Sequence, residues 1–302
     1  MKELIMDRKT KEIEILVMGG TEAYFLDRGD IGTIVEEVRL DTPYGLANKI
    51  SVLDLGGKYV GFMSRHGEHG YSVSAPFVNS RANIYAAKEM GAKRILSWNG
   101  AGTISPHIMP GDYVIIDDYI DMTKNRAYTY YVGKGMGFIR QNPAFCPECR
   151  QALFDAAREI EPRTFDGGIY VCTEGPRLET KAEIRMFKMW GGDVVGMTII
   201  PELYLARELE MCYASLTYIS NYAEGDPRLS VKQNASIFSS MLPETVAKRM
   251  KDSTKALPLI FKNAMLKLLE GRSCNCGHSM DVYKNRGDIG DDWHTWVTVP
   301  EK

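Results

Sequence analysis

Hydrophobic and polar positions along the chain alternate between strand-like and helix-like patterns from residue 12 to about residue 225. Short apolar runs that stop at small or polar residues predict strands at 12–18, 49–55, 58–64, 93–97, 113–120, 168–173 and 214–219. Apolar residues at helical spacing predict helices at 78–90, 149–160 and 181–190. The alternation predicts an α/β sheet protein without internal repeats.

The stretch 194–202, Val-Val-Gly-Met-Thr-Ile-Ile-Pro-Glu, is the clearest candidate for a binding site. It predicts a buried strand that ends where a short helix, 201–210, begins, with Pro201 in its first turn. The following strand then delivers Asn221 to the same edge of the sheet. Open α/β sheets bind ligands at such strand ends, so we expect a site here.

Three other strand ends carry residues that suit an anion. Gly19-Gly20-Thr21 offers backbone N–H groups and a hydroxyl, although a simple turn explains it as well. Arg65 stands beside His66 and close to His69, and a guanidinium suits phosphate, whereas a surface arginine in a loop is the alternative. Asn99-Gly100 begins a small-residue turn, 99–103, where a ligand could approach backbone N–H groups.

The rest of the chain is less regular. Residues 122–146 are aromatic and glycine-rich, which predicts a loop near the pocket or an interface. Residues 242–269 predict one long or broken helix, interrupted at Pro258. We divide the chain into a domain at 1–270 and a C-terminal tail at 271–302, which carries a Cys-x-Cys motif and is expected to order only against a partner subunit.

Composition narrows the class of protein. The chain has 302 residues, 44% hydrophobic and 25% charged, with a net charge of −2, as in ordinary globular proteins. No basic face points to nucleic acid as a partner. The first residues lack the apolar segment of a signal peptide, and no window approaches the roughly 20 apolar residues that span a bilayer. We therefore expect a cytoplasmic protein with no membrane partner and mostly reduced cysteines.

Four separated motifs together resemble one family. They are Gly19-Gly20-Thr21, Arg65-His66-Gly67 with 78–84, Glu174-Gly175-Pro176-Arg177, and Gly196-Met197-Thr198 with Pro201-Glu202. In this order and spacing they resemble the trimeric purine nucleoside phosphorylases, in particular the branch of 5′-methylthioadenosine and 5′-methylthioinosine phosphorylases. The resemblance spans about residues 14–225 and implies a single α/β domain, with a central twisted mixed β-sheet flanked by helices.

The resemblance also implies a reaction and its partners. Such pentosyltransferases use inorganic phosphate as a co-substrate, without a cofactor, to convert a purine nucleoside to free purine and a ribose 1-phosphate. They assemble as homotrimers, and whether this chain associates further into a hexamer stays open.

Site residues follow from the same resemblance. The implied phosphate site comprises Thr21, Arg65, His66, Asn99, Gly100 and Thr198. The implied nucleoside site comprises Leu178, Glu179, Met197, Asn221 and Ala223. Catalytic roles fall on Asn221, Arg65 and His66, and no metal is assigned to the site.

A few side chains indicate the nature of the nucleoside. Glu179 could accept the N1–H of a 6-oxopurine, and the Asn221 amide could satisfy O6, which favours hypoxanthine or guanine over adenine. Apolar residues at Met241, Leu242 and Val246 favour a 5′-methylthio group, although they could equally be core residues. The expected substrate is 5′-methylthioinosine, inosine or guanosine, and a methylthioadenosine phosphorylase is the alternative.

Two other functions compete with this interpretation. A nucleosidase-like hydrolase needs no phosphate cradle, so Thr21, Arg65 and Asn99 argue against it. A zinc-binding structural or interaction protein is suggested by the thiols of Cys146, Cys149, Cys274 and Cys276, near His278. Reduced thiols or a redox-active Cys-x-Cys pair explain the same residues.

Overall fold

The computed structural model describes residues 10–21, 23, 27–68, 70–228 and 242–300. The strands are β1 (Ile15–Gly19), β2 (Thr33–Val38), β3 (Asp41–Thr42), β4 (Gly45–Leu46), β5 (Ile50–Asp54), β6 (Tyr59–Ser64), β7 (Arg94–Thr103), β8 (Tyr113–Ile115), β9 (Asp118–Met122), β10 (Thr164–Asp166), β11 (Ile169–Thr173), β12 (Val194–Gly196) and β13 (Cys212–Tyr222). The helices are α1 (Ser80–Glu89), α2 (Pro147–Ile160), α3 (Lys181–Met189), α4 (Ile199–Glu208), α5 (Glu244–Leu268) and α6 (Asp281–Arg286).

Eleven of the described strands form one mixed sheet, and β3 and β4 form a small hairpin. The main path runs β10-β8-β13-β7-β1-β6-β5-β2, and β12 joins β7 to β11 and β9. Parallel pairs link β1 to β6 and β7, and β7 to β13, whereas β12 is antiparallel to β7. The predicted α/β domain with a central mixed sheet and flanking helices is therefore confirmed.

Helices cover both faces of this sheet, and successive strand residues therefore contribute to two hydrophobic cores in alternation. Leu16 and Met18 of β1 belong to the core that contains α1 and α4 residues. Ile15 and Val17 belong to the core that contains α2 and α5 residues. A strand that is buried on both faces has a continuous run of apolar residues, so such strands could be predicted clearly from the sequence.

Strand β7 creates an opening in the sheet. One edge pairs with β13 along the strand, while the other pairs with β1 as far as Trp98 and with β12 from Gly102. Residues 99–101 lie between these two neighbours. The predicted turn at 99–103 is wrong, since β7 continues through Thr103, but the backbone there still lies beside an opening.

The end of the chain packs on the domain. Helix α5 is continuous through Pro258, which resolves the choice between a long and a broken helix. Met280, Tyr283 and Trp296 are buried in the core cluster that also holds α1 and α4 residues. This part of the tail is therefore ordered against its own chain, contrary to expectation.

Among the described residues, no helix is long and apolar enough to cross a membrane.

Candidate active site

The candidate site lies where the turn after β1 meets Arg65 and β7. A methyl group placed on Gly20 would lie 2.8 Å from the Trp98 carbonyl oxygen and 3.1 Å from Nη1 of Arg65. It would also lie 3.2 Å from Cα of Asn99. These segments approach so closely only because residue 20 has no side chain. Three of the predicted anion motifs are thus brought together.

Arg65 is held by a buried ion pair with Glu202. Nε donates to Oε1 at 2.5 Å and Nη2 donates to Oε2 at 2.9 Å, with both side chains 1% exposed. Tyr213 donates its hydroxyl to the same carboxylate at 2.8 Å. Although burial opposes the charged form, Glu202 raises the pKa of Arg65. Two sides of the guanidinium are therefore fixed within the protein.

Only Nη1 of Arg65 remains directed toward the opening. Nη2 also donates to the Ser97 hydroxyl at 2.7 Å, and Nη1 donates to the Trp98 carbonyl at 3.3 Å. Because Nη1 carries two hydrogens, one is left for an anion beside Gly20. The sequence pointed to Arg65 but assigned no role to Glu202, which lies 137 residues away in the chain.

The Asn99 side chain is held within the sheet, so an anion would meet the backbone at Asn99 and Gly100 rather than that side chain. The Asn99 amide donates to the Ser215 hydroxyl at 2.7 Å and accepts from the Thr217 hydroxyl at 3.0 Å. The Tyr218 ring lies 2.9 Å from where a Gly100 methyl would sit, and its hydroxyl donates to the Thr21 carbonyl at 3.2 Å. Tyr218, which the sequence did not single out, thus positions the first anion motif against β7.

The hydroxyl of Thr198 is buried without a hydrogen-bond partner of good geometry in the described chain. Thr198 precedes α4, yet its side chain does not cap that helix. The Tyr170 hydroxyl lies beside Thr198 and also lacks a hydrogen-bond partner of good geometry in the described chain. Leaving such a group unsatisfied costs about 1–3 kcal/mol, so a polar ligand would explain its placement.

His66 is a neutral acceptor in this arrangement. Nδ1 lies 2.9 Å from the Val73 carbonyl oxygen and must carry the proton to donate to it. Burial, reinforced by the Arg65 charge, lowers the pKa of His66 to about 4. Nε2 therefore presents a lone pair at neutral pH and would accept from a protonated phosphate oxygen or a sugar hydroxyl. His69, the other candidate, lies outside the described residues.

Titration of His66 predicts a loss of stability in acid. The folded state holds the pKa of His66 near 4, below its ordinary 6.5, so its contribution is complete above pH 6.5 and decreases toward pH 4. Between pH 7.5 and 5 we expect it to remove about 2 kcal/mol from the free energy of unfolding. Urea titrations of the wild type and His66→Gln at both pH values measure this difference.

The wild type and His66→Gln must both be measured, because protonation of Glu208 changes the free energy of unfolding in the opposite direction. Burial raises the pKa of Glu208 to about 7, so its protonation favours the folded state as the pH falls. Both proteins share that effect, and the difference between them isolates His66. An equal pH dependence in wild type and His66→Gln would contradict the neutral, buried histidine.

Asn221 and Glu179 are fixed by hydroxyl groups near the ends of β13 and β11. The Ser220 hydroxyl donates to Oδ1 of Asn221 at 2.7 Å, and Nδ2 of Asn221 donates to the Tyr222 carbonyl at 2.9 Å. One hydrogen on Nδ2 remains for a ligand. The Thr173 hydroxyl donates to Oε1 of Glu179 at 2.6 Å. A bulge in β13 just before Asn221 sets its direction.

The other predicted nucleoside residues have different surroundings. A methyl on Gly175 would lie 2.5 Å from the Met197 sulfur, so the 174–177 motif packs on Met197. Ala223 is buried next to Gly102, and Leu178 is 38% exposed. Of the candidate residues for the 5′ pocket, Leu242 is buried, Val246 lies in the first turn of α5, and Met241 lies outside the described residues.

Arg126 joins the loops that follow β11 and β12. Nη1 donates to the carbonyls of Met197 at 3.1 Å and Ile200 at 2.9 Å, and Nη2 donates to that of Glu174 at 2.7 Å. The side chain is only 5% exposed. The sequence placed the 122–146 loop near the pocket or an interface but did not single out Arg126, because a loop without periodicity gives no signal for individual residues.

Replacing Arg126 with methionine should loosen both loops. We expect about a tenfold loss in kcat/KM, mostly through a higher KM for the nucleoside, because the carbonyls lose a shared donor. Steady-state kinetics with varied nucleoside provides the measurement. Arg150→Met is a matched control, since Arg150 also donates to a carbonyl and a carboxylate, at Ile116 and Asp166. Equal losses in the two variants would contradict a positioning role for Arg126.

Comparison of the sequence with those of known proteins places this chain in a family. The sequence profile described as the Phosphorylase superfamily matches residues 14–249. The chain is 38% identical over 281 residues to a protein of Dictyoglomus turgidum named "Probable 6-oxopurine nucleoside phosphorylase", covering 91% of this chain and 99% of that protein. It is 39% identical to the "Probable S-methyl-5'-thioinosine phosphorylase" of Methanothermobacter thermautotrophicus, covering 95% and 96%.

A solved structure agrees with this placement. The crystal structure of a methylthioadenosine phosphorylase from an antarctic soil metagenomic library superimposes with a TM-score of 0.79 at 26% identity, covering 95% of this chain and 98% of that one. The chain therefore belongs to the Phosphorylase superfamily, a family of enzymes. The predicted resemblance to its purine nucleoside and methylthionucleoside phosphorylases is confirmed.

Proposed function

We propose that this enzyme catalyses phosphorolysis of purine nucleosides, in which phosphate attacks C1′ and displaces the purine. The observation that carries the proposal is the cradle formed by Gly20, Nη1 of Arg65 and the backbone at 99–101. A hydrolase would need no such anion site beside its sugar. The reaction uses phosphate as co-substrate and requires no cofactor.

The cradle suits the transition state of this reaction. The glycosidic bond breaks toward a ribosyl cation, so a phosphate held beneath the sugar both stabilises the developing charge and becomes the nucleophile. Arg65 and the backbone at Asn99-Gly100 would fix that phosphate, and the Thr198 hydroxyl, which lies beside that of Tyr170, would donate to it. Preorganised donors of this type each contribute about 10²- to 10³-fold in rate.

Asn221 is assigned to the leaving purine. A purine departs as an anion unless N7 is protonated or hydrogen-bonded, and the free hydrogen on Nδ2 of Asn221 can serve as that donor. Its oxygen is already tied to the Ser220 hydroxyl, so the orientation of the amide is fixed. Asn221 thus acts by hydrogen bonding and needs no proton of its own to transfer.

The preferred base under this proposal is a 6-oxopurine. Oε1 of Glu179 accepts from Thr173, which leaves Oε2 to accept the N1–H that only a 6-oxopurine offers. The donor left on Asn221 would meet an acceptor, N7 or O6. Names of relatives include 6-oxopurine nucleosides and methylthioinosine, in agreement, but also methylthioadenosine, which keeps a methylthioadenosine phosphorylase as the alternative.

The decisive experiment is release of base from 5′-methylthioinosine, 5′-methylthioadenosine, inosine and adenosine, with and without phosphate. We expect phosphate-dependent release, faster for the two 6-oxopurines, and faster for a 5′-methylthio than for a 5′-hydroxyl compound. Preference for methylthioadenosine would overturn the base assignment and leave the reaction intact. Release without phosphate would overturn phosphorolysis itself.

We also propose a homotrimer in the cytoplasm. Phe77 is 73% exposed and Phe138 is 88% exposed, so both rings are available for contact with a neighbouring subunit. Tyr71, 49% exposed, packs against the His66 ring, so a contact there would lie beside the site. Light scattering on the purified protein distinguishes three chains from one or six. None of the six cysteines, all of which lie among the described residues, forms a disulfide, and this suits a reducing compartment.

A further inference from the structure

Four cysteine thiols from three distant parts of the chain meet at one place. Cys146 precedes α2, Cys212 begins β13, and Cys274 and Cys276 lie in the tail. Their sulfur atoms all lie within 4.8 Å of one another, and those of Cys212 and Cys274 are 3.3 Å apart. Cys146 and Cys212 are buried, and the two tail cysteines are half-buried.

We propose that these four thiols, deprotonated, bind one Zn²⁺ as a structural site. Zinc held by four cysteines is tetrahedral with Zn–S distances of about 2.3 Å, which separates the sulfur atoms by about 3.8 Å. The observed sulfur–sulfur distances include one of 3.3 Å and reach at most 4.8 Å, so they lie around that value. Metal entry therefore requires only small rotations of side chains. Four sulfur ligands in such an arrangement favour zinc or iron over harder cations.

The surroundings of the cluster are suited to its charge. Four thiolates with Zn²⁺ carry a net charge of −2, and Arg272 lies beside them. Arg272 lies near Cys212, Cys274 and Cys276, and the fully buried Arg94 lies near Cys149. Nε of both arginines is buried without a hydrogen-bond partner in the described chain. Arg94 pairs with Glu14 at 3.2 Å and with Glu148 at 3.6 Å, whereas no carboxylate in the described chain pairs with the half-buried Arg272. Thiolates would supply the negative charge that balances Arg272, and neutral thiols would not.

The structure changes the ligand set suggested by sequence. Cys149 neighbours Cys146 and Cys212 but is not one of the four mutually close thiols, and Cys212 takes its place. His278 is exposed and bonds to Asp281 at 3.0 Å, so it is not a ligand either. Cys212 is 62 residues from Cys274 and has no motif around it, which is why only the fold reveals it.

The site would attach the tail to the domain without entering the reaction. Cys212 is the first residue of β13, whereas Asn221 lies near its last residue, so the cluster and the candidate active site occupy opposite ends of one strand. A groove of about 860 Å³, lined in part by Cys274 and Cys276, opens the cluster to metal from solution. The proposal is therefore independent of the proposed phosphorolysis.

Metal analysis of the full-length protein, purified without chelators, tests this proposal. We expect one zinc per chain, released when a mercurial reagent titrates four thiols. Cobalt substitution should give the absorption bands of a tetrahedral thiolate site. Cys276→Ser, which alters a half-buried tail residue, should reduce zinc to about one tenth or less and lower Tm by about 5 °C or more. Cys172→Ser, a buried cysteine of β11 outside the cluster, is the matched control and should keep the metal.

Other outcomes would overturn the proposal. Iron in place of zinc would reject the assigned metal. A metal-free protein with four rather than six titratable thiols under non-reducing denaturation would indicate a disulfide between cluster cysteines. Six free thiols with no metal, in a protein refolded with added zinc, would leave only packed cysteines. Cys146→Ser provides a second variant, from the domain side, should Cys276→Ser fail to fold.

Discussion

Replacing Arg65 with methionine should lower phosphate-dependent kcat/KM by about 10²- to 10³-fold, because the anion loses its charged donor. The same change should destabilise the fold by about 3–5 kcal/mol, because Glu202 would remain buried as an unpaired charge beside Tyr213. Steady-state kinetics with varied phosphate measures the first effect, and urea unfolding measures the second.

A second substitution separates these two effects. In Arg65→Met combined with Glu202→Met, no buried charge remains, so much of the lost stability should return while phosphorolysis stays low. Asp112→Asn is a control for a buried carboxylate, since Asp112 pairs with Arg163 and Arg249. Asp112 directly precedes β8, which β13 separates from β7 in the sheet. Asp112→Asn should lower the free energy of unfolding and have little effect on the KM for phosphate. Recovered activity in the double variant would show that Arg65 does not bind the anion.

Exchanging the two base-recognition groups should change the preferred purine. With Asn221→Asp and Glu179→Gln, the carboxylate could accept from a 6-amino group and the new amide could donate to the N1 lone pair. We expect the ratio of kcat/KM for 5′-methylthioinosine over 5′-methylthioadenosine to fall by about 10²- to 10⁴-fold, because mismatched buried groups discriminate strongly. Parallel assays of the two nucleosides give this ratio directly.

Glu183→Gln is the matched control for this exchange. Glu183 lies four residues after Glu179, where it completes the capping box of α3 and pairs with Arg177. Its replacement should weaken the helix start by about 1 kcal/mol and leave the base ratio unchanged. An unchanged ratio in the double variant, with activity retained, would show that other residues select the base.

The sequence anticipated those parts of the fold whose residues are buried on both faces. It missed β2, Thr33–Val38, because this edge strand is partly exposed throughout and its two glutamates interrupt the apolar run. It ended β7 early because Asn, Gly and Thr are also turn residues, and only pairing with β13 and β12 keeps residues 99–103 extended. Tertiary pairing decided both cases.

Site residues were predictable where a motif follows a strand. Gly20, Arg65 and Asn99 converge as the strand ends implied. Glu202 and Arg126 were not identified, because each acts through contacts with residues far along the chain that leave no local pattern. Roles assigned to individual residues by the family resemblance stay predictions until the variants above are measured.

The neutral state of His66 has a consequence for the choice between oxyanions. Its ring nitrogen Nε2 is satisfied only by an oxygen that bears hydrogen, since Nδ1–H is committed to Val73. Monohydrogen phosphate brings such an oxygen at neutral pH, whereas sulfate, of similar size and equal charge, brings none. An enzyme whose Nε2 of His66 accepts from phosphate rather than from a sugar hydroxyl would tell its nucleophile from sulfate by a single hydrogen. Sulfate should then compete poorly at concentrations where phosphate saturates.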